Sequence, residues 1–93
     1  MQYNEETLIR SLKKAQHRLS IARTIKRKLT ESGKVLDTIA FVEMCADIQP
    51  LPVNEMICIG HCFGLEGFDV KTTALFLVEK GVISLNDEWQ FVK

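Results

Sequence analysis

Cys58, His61 and Cys62 are the residues of this chain whose types and spacing come nearest to a reactive site. They lie within "MICIGHCFGLEGF", residues 56–68. At i, i+3 and i+4 a helix would present all three on one face, offering up to three soft or borderline metal ligands. A closed zinc site needs a fourth ligand, for which Cys45 and His17 are the candidates. Zinc modules present ligand pairs on knuckles or turns, and no second pair repeats here. The order Cys-x-x-His-Cys is neither the redox Cys-x-x-Cys nor the haem-attachment Cys-x-x-Cys-His. Two thiols four apart on a helix would need distortion to bridge. His61 and Cys62 are adjacent and point to different sides of a helix, and no acid is evident to orient the imidazole. Cysteine is also one of the most buried residue types, simply as a small hydrophobe. The segment therefore reads as helix packing. No catalytic residue, metal site, cofactor or small-molecule substrate is expected.

The glycines fit that reading. Gly60 falls mid-helix, where it is disfavoured by about 1 kcal/mol relative to alanine; close approach of a second helix is one reason to keep it. Gly64 reads as the end of that helix, and Ile59, Phe63, Leu65 and Val70 are apolar where a packed helix pair would need them.

The elements that would hold this segment follow from the rest of the chain. Ninety-three residues with 46% apolar side chains make one globular domain with a modest core. No stretch approaches the ~20 apolar residues of a membrane span. The N-terminus "MQYNEETLIR" lacks the basic-then-apolar order of a signal peptide. With an odd number of cysteines, three, the expectation is reduced thiols in a cytoplasm.

A net charge of zero hides an asymmetry. Residues 1–34 hold nine bases and three acids, a net of +6, and residues 35–93 hold three bases and nine acids, a net of −6. The split suggests a basic arm (1–33) on an acidic helical body (34–93), or two lobes that attract each other within one chain or between two.

The arm reads as one helix over about 4–32, with Asn4 as its cap and Glu5 and Glu6 favoured by the helix dipole. Leu8, Leu12, Ala15, Leu19, Ala22 and Leu29 form a heptad-like seam, interrupted by Lys26. Ile21 and Ile25 lie off the seam and suggest a second covered side. Such a helix reaches roughly 40 Å, too long to lie wholly on so small a body. Part of it must project or pack on another chain. Residues 35–48 read as a buried helix, and "QPLPV" as an extended connector forced by Pro50 and Pro52. Two more helices are expected, one capped by Asn54 and running to Gly64, the next capped by Asp69 and stopped by Gly81. Two short strands around Asn86-Asp87 complete a hairpin. The fold class is mainly α: a long N-terminal helix, a three-helix body and a C-terminal β-hairpin.

With the small residue, the glycine at the turn and the second helix after it, residues 35–93 resemble the helix-turn-helix pattern, and with their terminal hairpin a winged-helix domain. That resemblance implies a dimeric DNA-binding transcription regulator whose second helix reads the major groove. There Lys71, Thr72 and Thr73 would touch phosphates or base edges, while Ala74, Leu75, Phe76, Leu77 and Val78 read as buried. No arginine is available for guanine, and the acidic body opposes phosphate. The basic residues lie on the arm. Arg10, Lys13, Lys14, His17 and Lys28 share a face opposite the leucine seam, and Arg23, Lys26 and Arg27 add a cluster. These bases are the candidate nucleic-acid contacts, and the seam from Leu8 to Leu29 is the candidate dimer or partner interface. The alternative is a protein–protein interaction module, an adaptor or inhibitor, that binds through the arm and the acidic body. Trp89 is expected to cover the edge of the core, with a contact at the hairpin tip as the alternative.

Overall fold

The computed structural model describes residues 5–33 and 35–93, with backbone alone at 5, 7 and 8. Helix α1, Glu5–Ser32, has 28 residues. At 1.5 Å per residue it accounts for about 42 Å, most of the molecule's 46 Å long axis. It stops at Gly33, whose φ of 66° is left-handed and whose amide donates to the Leu29 carbonyl at 3.0 Å. The expected cap, Asn4, lies outside the described residues.

Helix α2, Thr38–Ile48, begins where Asp37 caps it, the Ala40 amide donating to Asp37 Oδ1 at 2.7 Å. The proline-bounded connector forms strand β1, Leu51–Pro52. Helix α3, Val53–His61, starts directly after Pro52, which is the N-cap in place of the expected Asn54. Proline at φ −73° and ψ 158° already has the extended geometry of an N-cap, so the helix needs no later start. Helix α4, Gly67–Glu79, likewise begins before the expected cap, and Asp69 lies in its first turn, where the dipole favours a carboxylate. Gly67 permits the earlier start, since a Cβ there would come within 2.9 Å of Ile57 Cγ2 on α3. Strands β2, Ser84–Leu85, and β3, Gln90–Val92, form the hairpin. β1 joins them in an antiparallel sheet of order β1-β3-β2, pairing Leu51 with Phe91. The connector thus has a strand partner that its own residues do not announce.

The architecture is mainly helical with this small sheet at its C-terminal end. The core is one apolar cluster, centred on Phe41 and Cys45 of α2, Met56 and Ile59 of α3 and Val70 of α4, and closed by Leu51 and Phe91 of the sheet. Gly60 is a point of close helix approach: a Cβ there would stand 3.1 Å from Val70 Cγ2 and 3.4 Å from Phe41 Cε1. A larger residue would push α4 off α3. The second half of α1 completes the core with Ile21 and Ile25, the pair placed off the leucine seam. α1 and α4 both pack on α2 and α3, and are not a packed pair with each other.

Candidate functional site

Part of the basic side of α1, Arg18 and Lys28 with His17, is turned toward the acidic body. Arg18 grips Glu55 of α3 with two hydrogen bonds, Nε to Oε2 at 2.5 Å and Nη2 to Oε1 at 2.8 Å. His17 Nε2 lies 2.7 Å from Gln49 Nε2, and Lys28 Nζ lies 3.6 Å from Asp47. The Arg18 hydrogen bonds hold the Glu55 carboxyl below the usual carboxylate range against the opposing effect of burial, helped by the charges of Arg18, Lys14 and His17. Attraction between the two lobes thus operates within one chain. Arg10, Lys13, Lys14, Arg23, Lys26 and Arg27 remain exposed along the helix.

The leucine seam divides. Ala22 is buried against the body and Leu29 packs partly against the core, so these two seam positions face the chain's own body. Leu12 and Leu19 stay 56% and 48% exposed, with Ala15 exposed between them and Ile9 beside them. The side chain of Leu8 lies outside the described residues.

The cysteines separate too. Cys45 is in the core, where burial pushes its thiol up to about 12, far from a reactive thiolate at neutral pH. Cys58 is half-buried, and Cys62 is exposed with its Sγ 3.9 Å from the Cys58 carbonyl. Among the described residues no three His, Cys, Asp or Glu side chains converge as metal ligands.

The second exposed surface is on α4 and the hairpin. The stripe of α4 that enters the core is Val70, Ala74 and Leu77, at i, i+4 and i+7. That phase turns Lys71 and Thr72 outward and leaves Thr73 half-buried. It also turns out Phe68, Leu75 and Phe76, at 77%, 51% and 47% exposure. Leu75 and Phe76 therefore depart from the buried run expected of residues 74–78. Beside Leu75 a groove of about 190 Å³ runs between α4 and the sheet, lined by Val53, Lys71, Leu75, Leu85, Trp89 and Phe91.

Trp89 forms one wall of that groove, in an unusual backbone state. Asn86 organises the turn: its Oδ1 accepts from the Glu88 amide at 3.0 Å and the Gln90 amide at 2.9 Å, and its carbonyl accepts from the Trp89 amide at 3.1 Å. The three-residue loop closes through a left-handed residue, a place usually taken by glycine. Here it is Trp89, at φ 62°. A left-handed non-glycine residue costs roughly 1–2 kcal/mol, and at 75% exposure the indole recovers little of it by burial. Trp89 is therefore exposed at the hairpin tip and is not a cover for the edge of the core. The Asn86-Asp87 pair signals the turn, but no sequence signal marks the strained residue within it.

Compared with known proteins, the chain matches no family model, no curated protein and no solved structure.

Proposed function

We propose that this chain is a small non-enzymatic regulatory protein acting as a protein–protein interaction module, with the α4–hairpin groove as its working surface. The observation that carries this reading is Trp89, a large aromatic held exposed in a strained backbone state beside an apolar groove. Strain that stability does not explain points to use, and tryptophan is enriched among residues that dominate binding energy. Leu75 lines the groove, and Phe68, two helical turns earlier on the same side of α4, is a further exposed apolar side chain. The order helix–strand–helix–helix–strand–strand over 38–92 supports the winged-helix resemblance, here used to bind protein. Three free thiols fit a cytoplasmic setting, and no described helix is long and apolar enough to cross a membrane.

A second reading, a dimeric DNA-binding transcription regulator, is favoured by that same element order, with Lys71 and Thr72 exposed on α4 and six bases exposed on α1, Arg10 to Arg27. Against it, Lys28 and Arg18 are engaged with acids, and the bases of α1 and those of α4 lie on helices that do not pack together. Thr73 is half-buried, and the outer face of α4 is apolar.

One experiment separates them. The native complex is isolated from source cells carrying the wild-type chain or Leu75→Asp plus Trp89→Ala, and protein and nucleic acid are both assayed. The module reading expects a protein partner lost in the double variant. Nucleic acid in place of protein, together with a salt-sensitive gel shift on duplex DNA at ~50 mM salt, would favour the regulator.

A further inference from the structure

We infer that the occupant of the α4–hairpin groove is the projecting half of α1 from a second copy of this chain. The inference rests on the module reading and names its partner. Two surfaces of the molecule are unpartnered, and they complement each other. The first is the rod: Ile9, Leu12, Ala15 and Leu19 form an exposed apolar stripe, and the same line of the helix runs on into Arg23 and Lys26, also exposed. The second is the groove, apolar along Leu75, Leu85 and Phe91. Acids border it. Asp87 and Glu88 sit in the turn with Trp89, and Glu79 lies one helical turn beyond Leu75, all three exposed; the base within the groove lining is Lys71. An apolar stripe leading into bases thus meets an apolar trough bordered by acids, which is the charge pattern that steers and orients association.

The contact is between copies because the fold keeps rod and groove apart within one. α1 is anchored to the body by Ile21, Ile25 and the Arg18–Glu55 pair, and α4 packs on the same two helices, α2 and α3, without pairing with α1. The leucine stripe is therefore turned away from its own body. The alternative of two seams packed on each other in parallel would place Lys26 against Lys26 at a core position of the coil, where a charge is costly. Rod-to-groove docking places that lysine near carboxylates instead. Each contact joins two different patches, and when each copy gives its rod to the other about a two-fold axis the pair closes as an isologous dimer.

The test uses the full chain throughout. Sedimentation follows the wild type from ~1 to ~200 µM, the range where modest interfaces form. A rod variant carries Leu12→Asp and Leu19→Asp, and a groove variant carries Leu75→Asp and Trp89→Ala. All four positions are exposed, and circular dichroism checks that each variant folds. The wild type should rise to at least about 1.5 times the monomer mass, and less at high salt, since exposed charges are screened. Each variant alone should stay monomeric. Mixing the two should restore association, because the good rod of one meets the good groove of the other. A wild type monomeric throughout overturns the inference, as does a groove variant that still associates, which would place the contact seam on seam. The module reading fails separately: it falls if the native complex survives the groove substitutions or holds nucleic acid in place of protein. A foreign partner lost in the groove variant, with the purified chain monomeric, would leave that reading standing and remove this one.

Discussion

The two halves of α1 carry the same kind of apolar pattern and meet different fates. In the second half, Ile21 and Ile25 are fully covered by α2 and α3, and Arg18 at its edge is clamped to Glu55. Leu12 in the first half, and Leu19 just past the midpoint on the seam side, stand in the open. The helix is continuous, so propensity does not distinguish them. What does is phase. The side that meets the body runs through Arg18, Ile21 and Ile25, and the leucine seam is rotated about a quarter turn away from it. Apolar spacing says that a face must be covered; it does not say by what.

Truncation should expose the difference between the halves most strongly. Ile25→Ala leaves a void in the core and should cost about 3 kcal/mol, lowering Tm by ~15 °C in thermal unfolding followed by circular dichroism. A shift of only a degree or two would mean that the second half is not docked as described.

A smaller effect comes from the clamp between the halves. Glu55→Gln should cost about 1 kcal/mol, since the pair is partly exposed and charge-assisted. The sign with pH follows from the lowered Glu55 carboxyl. A depressed folded-state value stabilises fully above the unfolded value of ~4.3 and is lost as pH falls through the folded one. The Tm gap between wild type and variant should therefore be widest near neutrality and close on acidification. A gap that widened toward low pH would contradict the ion pair.

Both halves also differ in how far their surroundings are legible in the sequence. The element order, the glycine stops at 33 and 81 and the close approach at Gly60 all follow from local rules: left-handed glycine, proline geometry and helix spacing. The strand at Leu51 does not, because a two-residue strand is created by its partner, β3, and not by its own pattern. Leu75 and Phe76 break the expected buried run because apolar residues in series on a short helix do not fix which third of it faces inward; Val70, Ala74 and Leu77 decide that only once α3 is in place. The basic face of α1 looks free in sequence because its partners, Glu55, Asp47 and Gln49, are more than 15 residues away along the chain.

Trp89→Gly should act in the opposite direction to the core variants. Relieving the left-handed strain stabilises by up to ~1 kcal/mol, and the slight packing that an exposed indole provides offsets part of it. A Tm at or slightly above wild type, with loss of partner binding, would mark a residue kept for use. A clear drop in Tm would mark it as structural.

Smallest of all should be Leu19→Ala on the exposed seam, within ~0.5 kcal/mol of wild type in dilute solution where the chain is alone. Set against Ile25→Ala, this pair measures the seam face and the docked face of α1 on one scale. A cost near that of Ile25 would show that the chain's own body covers the seam.

The central claim is that the groove beside Trp89 is where this protein meets its partner, and the chain's single tryptophan reports on it directly. With 5-fluorotryptophan in place of Trp89, one fluorine resonance follows the site in the isolated chain at low concentration and in the native complex. The signal should be solvent-exposed in the first and shifted and solvent-protected in the second. A signal equally exposed in both would contradict it.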